Sequence, residues 1–338
     1  MKVDIPGKLF ISGEYAVVYG AHAILAPSLH TMRFEIRKAE EPLVHSLKYG
    51  EAFYLESSHP MPNPLRKAYV MIRRYLDETG VPFSPFHLEV DSALDIEGQK
   101  LGLGSSAALT LGMIKTVLSF HKINLSDLAL YKLSVLAMID EEHFTSYGDL
   151  ALAACRQWLL YRKFDSAWLK NHMHLPSDVL IDMPWMNLEI RPFTPKKLHM
   201  LVVNTGTPAK SKRLVESFNH AISGHYKTIF TDESDLLSLE LFNKLRLGEK
   251  PHETIEKLRS LMDDSENHVN MTLFTEALRT IEKHLTPFRA RVKFSGAGGG
   301  DNVLAFFENE TDKENAAEKL EALGYTLIGY ERRGFDES

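Results

Sequence analysis

The chain has very little cysteine, since Cys155 is the only one among its 338 residues. One thiol excludes an internal disulfide and any metal site built from several cysteines, and such usage is typical of a reducing compartment. The sequence also lacks a run of about 18 apolar residues that could span a bilayer. Its first residues lack the uninterrupted apolar stretch of a secretory signal. These absences predict a cytoplasmic protein without a membrane partner.

An excess of positive charge is also missing. The chain carries 39 Lys and Arg against 45 Asp and Glu, a formal net charge of −6, and 44% of its residues are apolar. This composition is ordinary for a soluble globular protein and gives no sign of a nucleic-acid partner. At this length two domains are expected. Three prolines interrupt the pattern in residues 177–197, so we predict domains over 1–190 and 191–338.

A Walker-type P-loop is absent, because no Gly-Lys-Ser or Gly-Lys-Thr follows a glycine loop. Residues 100–120, KLGLGSSAALTLGMIKTVLSF, offer a different loop. Gly102 and Gly104 permit backbone conformations that a Cβ would penalise, and an almost wholly apolar helix follows. Such a helix is expected to be buried. Its first N–H groups and dipole favour a phosphate ligand, although a glycine turn of this kind also occurs for packing alone.

Two further glycine segments carry signals of function. In residues 6–20, PGKLFISGEYAVVYG, Lys8 is either a surface lysine or a positive charge directed at a site. Residues 295–301, SGAGGGD, contain more glycine than a hairpin needs, which predicts close approach to another backbone or a ligand. Asp149 follows Gly148 at a predicted helix start, where it is either a cap or a functional carboxylate.

Hydrophobic periodicity predicts a mixture of helices and strands. The predicted strands cover residues 3–11 with a break at Pro6-Gly7, 30–36, 49–56, 86–90, 158–164, 198–203 and 326–330, with a strand, glycine loop and strand over 291–307. One helix is predicted to begin at residue 107. Further helices are predicted over residues 63–77, 125–142, 235–247, 252–262, 273–284 and 314–323.

The three glycine motifs, in this order, resemble those of the GHMP kinase superfamily, and their span covers almost the whole chain. This resemblance implies a two-domain α+β fold, with a ribosomal protein S5 domain 2-like N-terminal domain and a ferredoxin-like C-terminal domain. It places the active site in the cleft between the domains. It also implies ATP and Mg²⁺ as cofactors and a small molecule as substrate, in a monomer or homodimer.

Within the superfamily, four segments resemble the phosphomevalonate kinase family: SYGDLA, WLLYRKFD, IDMPWMNLEIRPF and VVNTGTPAKSKRLV. The implied reaction is ATP-dependent phosphorylation of 5-phosphomevalonate to the diphosphate. EYAVVYG and the TG…SK-R-LV turn within the fourth segment are similar to the mevalonate kinase family too, which would phosphorylate the hydroxyl of mevalonate. The related decarboxylase and a non-catalytic metabolite-binding protein are further alternatives.

The sequence departs from the family pattern at four places. The proline expected before the second motif is replaced by residues 97–99, and Phe144-Thr145 stand where Gly-Asn is usual. Arg156-Gln157 replace a glycine, and Asn302 stands where a cysteine is common. These departures concern the choice of acceptor more than phosphoryl transfer.

The resemblance also implies roles for individual residues. Lys8 and Asp149 would be catalytic, and a hydroxyl of Ser105 or Ser106 would help to hold Mg²⁺. Nucleotide binding would involve Lys100, Gly102, Leu103, Gly104, Ser105, Ser106 and Ala107. Substrate binding would involve Glu14, Tyr15, Ser146, Gly296, Ala297, Gly298 and Lys210. Lys210, Lys212 and Arg213 stand at a helix start, where cations are either solvated or matched by a bound anion.

Overall fold

The computed structural model describes residues 1–96, 99–139 and 145–331. Helices and strands alternate along the chain, and most strands belong to two separate sheets. This architecture confirms the predicted α+β class. Among the described helices, none combines the length and the apolar character that crossing a bilayer requires.

The strands have the following bounds in chain order. They are β1 (Lys2–Ser12), β2 (His22–Lys38), β3 (Leu43–Ser46), β4 (Glu51–Tyr54), β5 (Phe86–Ser92), β6 (Asp95–Ile96), β7 (Gln99–Lys100), β8 (Trp158–Arg162), β9 (Glu189–Phe193), β10 (Met200–Asn204), β11 (Arg291–Ser295), β12 (Asn302–Phe306) and β13 (Thr326–Leu327).

The α-helices have the following bounds, and short 3₁₀ turns lie at Ala16–Tyr19 and Thr286–Phe288. They are α1 (Asn63–Glu78), α2 (Ser105–Phe120), α3 (Asp127–Met138), α4 (Gly148–Cys155), α5 (Ser166–His172), α6 (Ser177–Asp182), α7 (Ser211–Ala221), α8 (Gly224–Leu247), α9 (His252–Val269), α10 (Glu276–Leu285) and α11 (Glu310–Ala322).

The first sheet is built around the long strand β2. Its order is β4-β3-β5-β2-β8-β9, and β1 also pairs with β2. Strands β1, β5 and β8 run antiparallel to β2, whereas β3 runs parallel to β5. The second sheet has the order β11-β12-β10-β13 and is antiparallel. The last described residue, Glu331, returns to the first sheet, where its carbonyl accepts a hydrogen bond from Trp158 Nε1 at 2.6 Å.

The last strand of the first sheet is β9, and the second sheet begins at β10. The chain therefore passes from one sheet to the other between Phe193 and Met200. The predicted domain boundary near residue 190 stays a prediction.

Helix α2 is buried against the first sheet, as its apolar sequence predicts. Gly112 lies in its middle, and a Cβ added there would be 2.1 Å from Cε2 of Phe34 on β2. The absence of a side chain at this position lets the helix approach the sheet closely. This contact holds the N-terminal end of α2 at the edge of the cavity described below.

The predicted break at Pro6-Gly7 does not divide the strand, because β1 runs from Lys2 to Ser12. The register with β2 shifts between Pro6 and Lys8, so the sheet accommodates the missing N–H of proline by an irregularity. A local breaker signal was therefore overridden by pairing along the rest of the strand.

Several predicted bounds are shorter than the observed elements. The strand predicted over 30–36 is the second half of β2, and the helix predicted from residue 235 begins at Gly224. In α8 the buried residues Phe230, Ser234 and Leu237 continue the helical spacing through a polar stretch. Part of the helix predicted over 125–142, residues 140–142, lies outside the described residues.

Gly112→Ala is expected to destabilise the protein by about 1–3 kcal/mol, because the new methyl group overlaps the Phe34 ring in a packed core. Urea unfolding followed by circular dichroism measures this loss. Ser119→Ala, near the end of the same helix, serves as the control and should change stability by less than about 0.5 kcal/mol. Equal unfolding midpoints for wild type and Gly112→Ala would contradict the packing argument.

Candidate active site

One cavity of about 610 Å³ gathers most of the residues that the sequence singles out. It lies among β1, the N-terminal ends of α2 and α4, the 295–301 loop and the start of α7. The predicted site residues that line it are Lys8, Glu14, Tyr15, Gly102, Leu103, Gly104, Ser105, Ser106, Ala107, Ser146, Asp149, Gly296 and Ala297.

Three of the predicted site residues are not among those described as lining the cavity. Lys210 is exposed just before α7 and does not line the cavity. Gly298 turns toward Leu273, whose carbonyl oxygen would lie 2.7 Å from an added Cβ. The side chain of Lys100 lies outside the described part of the chain, so its role stays a prediction.

Lys8 stands at the centre of the cavity. Its backbone N–H donates to the carbonyl of Leu103 at 2.9 Å, which fixes β1 beside the glycine loop. Its Nζ lies 3.9 Å from Oδ1 of Asp149, and the lysine side chain is only 14% exposed. Asp149 occupies the first turn of α4. A mostly buried ammonium therefore faces both the glycine loop and a carboxylate.

The glycines of the loop before α2 satisfy two demands at once. Gly102 and Gly104 have φ values of +70° and +78°, which side chains disfavour. A Cβ at Gly104 would lie 3.0 Å from Oδ2 of Asp149 and 3.1 Å from Cγ of Lys8. No side-chain cap satisfies the first turn of α2. Its N–H groups and positive dipole end therefore face the cavity and favour an anion.

The 295–301 loop is tied to the other two motifs by directional hydrogen bonds. Ser295 Oγ accepts from the backbone N–H of Phe10 at 2.9 Å. Tyr15 donates its hydroxyl hydrogen to the carbonyl of Ala297, and Asn302 Nδ2 donates to the carbonyl of Leu101 at 2.7 Å. These bonds hold β1, the glycine loop and the second sheet in one arrangement around the cavity.

Asp301 is a cavity residue that the sequence analysis did not assign to the site. Its Oδ1 accepts a hydrogen bond from the N–H of Ala209 at 2.9 Å, and its carboxyl group packs against Gly102. Burial raises the pKa of Asp301, while the Ala209 N–H and the charge of Lys8 partly oppose this rise. Its position as the last residue of a glycine-rich loop was the sequence signal that could have identified Asp301 as a site residue.

Two more lysines line the cavity. Lys67 of α1 lies half-buried at the cavity wall, and Lys212 lies in the first turn of α7. Together with Lys8 they make three ammonium groups around one space. Lysines that line a cavity can attract a polyanionic ligand, although carboxylates line this cavity as well.

Glu14 lines the cavity, but its carboxylate forms an ion pair with Lys293, and both side chains are 2% exposed. Lys293 Nζ also donates to the carbonyl of Phe294 at 2.8 Å. Burial lowers the pKa of Lys293, and Glu14 opposes this effect. The pair joins the first domain's motif to β11, so its evident role is to hold the two parts together. The predicted contact of Glu14 with substrate stays a prediction.

The oxygen-rich side chains near the glycine loop fit a magnesium ion. Mg²⁺ prefers carboxylate and other oxygen ligands, and it is usually held by one or two protein groups together with substrate phosphates. Ser105, Ser106, Asp149 and Asp301 supply such oxygens around the cavity.

Lys293→Met is expected to reduce stability by about 3–5 kcal/mol, because it leaves the Glu14 carboxylate buried without its partner. Glu14→Gln combined with Lys293→Met should lose less than Lys293→Met alone, since no buried charge then remains unpaired. Urea unfolding of the two single variants and the double variant measures this coupling. Losses that simply add would show that the two residues do not stabilise each other.

Comparison with known proteins agrees with this geometry. Residues 65–156 match the N-terminal domain of GHMP kinases, and residues 251–326 match the C-terminal domain of GHMP kinases. A phosphomevalonate kinase of Streptomyces sp. (strain CL190) is 26% identical over 91% of this chain and 90% of that protein. A mevalonate kinase of Archaeoglobus fulgidus is 24% identical over 93% of this chain and 94% of that protein.

A solved structure of Streptococcus pneumoniae phosphomevalonate kinase in complex with phosphomevalonate and AMPPNP has a similar backbone. It superposes with a TM-score of 0.87 at 25% identity, covering 98% of this chain and 99% of that one. The similarity therefore extends over both sheets and over the cavity between them.

Proposed function

Because this chain belongs to the GHMP kinase family of phosphotransferases, we propose that it transfers the γ-phosphoryl group of ATP to the phosphate of 5-phosphomevalonate. The predicted superfamily and its two-domain fold are confirmed. The choice of acceptor is supported chiefly by the similarity to the pneumococcal enzyme that binds phosphomevalonate. The three lysines of the cavity fit a reaction in which both substrates are anions.

The nucleotide is proposed to bind at the loop before α2. Its backbone N–H groups can donate to the triphosphate, and the aligned dipoles of α2 add to this attraction. A side chain at Gly102 would overlap the Asp301 carboxyl group, and one at Gly104 would crowd Asp149 and Lys8, so the two glycines let the loop lie close to these cavity residues. The hydroxyls of Ser105 and Ser106 lie at the same helix end.

Phosphoryl transfer requires stabilisation of the charge that spreads over the transferring group. The terminal phosphate oxygen of the acceptor attacks the γ-phosphorus of ATP, and the bond from the γ-phosphorus to the bridging β-phosphate oxygen breaks, so that ADP leaves. Lys8 is positioned between the glycine loop and Asp149, where its ammonium can neutralise charge on this group. Mg²⁺, when bound, would neutralise further charge on the nucleotide phosphates.

Asp149 has a different task for each possible acceptor. A phosphate acceptor is already an anion and needs little help from a base, so Asp149 would chiefly orient Lys8 at 3.9 Å. Mevalonate would need its hydroxyl deprotonated, which would make Asp149 the leading candidate for the base. The Archaeoglobus mevalonate kinase favours this second function at nearly the same identity.

The proposed acceptor is tested by measuring ADP release from Mg²⁺-ATP with mevalonate, 5-phosphomevalonate and 5-diphosphomevalonate in parallel. We expect turnover with 5-phosphomevalonate alone and no release of CO₂. Turnover with mevalonate alone would identify a mevalonate kinase. CO₂ release from 5-diphosphomevalonate would identify the decarboxylase, and a folded protein that binds no nucleotide would indicate a non-catalytic relative.

Lys8→Met should lower kcat by about 10²–10³-fold, because it removes the charge that stabilises the transferring group. Steady-state kinetics with the accepted substrate measure this loss, and circular dichroism shows that the variant is folded. Lys2→Met, an exposed lysine on the same strand, is the matched control and should keep the wild-type kcat. A near wild-type kcat for Lys8→Met would exclude Lys8 from the mechanism.

A further inference from the structure

A cluster of metal-ligating side chains lies on the first sheet and is separate from the cavity residues. His45 is on β3, and His87 and Glu89 are on β5. In the parallel pairing of these strands, His45 is opposite Glu89 and Leu43 is opposite His87. Because successive side chains alternate between the two faces of a sheet, all three project from the same face.

The three side chains converge closely enough to share one ion. One ligand atom from each lies within 4.8 Å of the others, and all three residues are half-buried. His87 Nε2 is 3.8 Å from Oε1 of Glu89, and the two imidazole ring centroids are 6.1 Å apart. Small rotamer changes would bring these atoms to the separations found around a bound metal.

A cation already occupies this cluster. Nη2 of Arg37 on β2 lies 2.7 Å from His87 Nδ1 and 3.4 Å from Oε1 of Glu89. A guanidinium only donates hydrogen bonds, so His87 Nδ1 acts as the acceptor and the ring is neutral. The Arg37 side chain is 65% exposed, so it can leave the cluster for water without uncovering a cavity.

The second nitrogen of His87 is left without a partner while Arg37 occupies the cluster. Within the described residues, His87 Nε2 is buried and has no hydrogen-bond partner. Buried polar atoms are nearly always satisfied, so the present arrangement with Arg37 leaves this N–H at a cost. A shift of the ring proton to Nδ1, once Arg37 has left, would free Nε2 to bind a metal.

We propose that His45, His87 and Glu89 form a zinc site, with Arg37 displaced when the ion binds. Two histidines and one glutamate are a donor set that zinc accepts, and water can complete the tetrahedron. Magnesium and calcium prefer oxygen donors and should not bind there. The ion would connect β3 directly to β5 and so hold the β3–β4 hairpin against the rest of the sheet.

Calorimetric titration of the nucleotide-free, magnesium-free full chain with ZnCl₂ tests the proposal. We expect one zinc ion per chain, and His87→Gln and His45→Gln should each weaken binding at least about tenfold. Arg37→Gln should tighten binding by about tenfold, because it removes a competing unit charge from the site. His225→Gln, an exposed histidine on α8, is the matched control and should bind zinc as wild type does.

A second readout separates this site from other zinc ligands. Zinc should slow amide hydrogen exchange in residues 43–54 in the wild type but not in His87→Gln. If His87→Gln does not fold, Glu89→Gln replaces it in both measurements. The proposal is overturned if zinc does not bind, if binding survives the loss of His87 unchanged, or if Arg37→Gln weakens it.

Discussion

The arrangement of the candidate active site depends on the close packing of Asp301 against Gly102. This contact brings the end of the 295–301 loop onto the loop before α2, at a distance that any side chain at residue 102 would prevent. It also carries the second sheet's carboxylate to the same space as Lys8 and Asp149. The 295–301 loop and the loop before α2 can approach each other this closely because residue 102 has no side chain.

Buried polar interactions then make this approach specific. The Glu14–Lys293 ion pair and the hydrogen bond from Phe10 N–H to Ser295 Oγ both join the first motif to β11. Asn302 performs the same task for the glycine loop through the carbonyl of Leu101. Buried polar groups are costly when unpaired, so this placement of the two sheets, which pairs all of them, is favoured over placements that would leave one unpaired. The position of Lys8 follows from that placement.

Elements that depend on local sequence patterns could be predicted, whereas those that depend on contacts between distant segments could not. Helix α2 follows from a continuous apolar pattern, and β11 and β12 follow from two apolar runs around a glycine loop. The continuity of β1 could not be predicted, because its pairing with β2 on both sides of Pro6 and Gly7 outweighs the local effect of Pro6. The early start of α8 was missed because its buried positions lie within a polar stretch.

The sequence by itself determined the family, the mixed fold class and the glycine motifs, because backbone freedom and apolar periodicity are local properties of the chain. It also drew attention to Lys8 and Asp149. Only the tertiary structure decided that Asp301, Lys67 and Lys212 share their cavity and that Lys293 pairs with Glu14. The residues next to a lysine or an aspartate in the sequence do not indicate which distant residue it will contact in the folded protein. That information arises only when two sheets pack and burial selects the charges that must be paired.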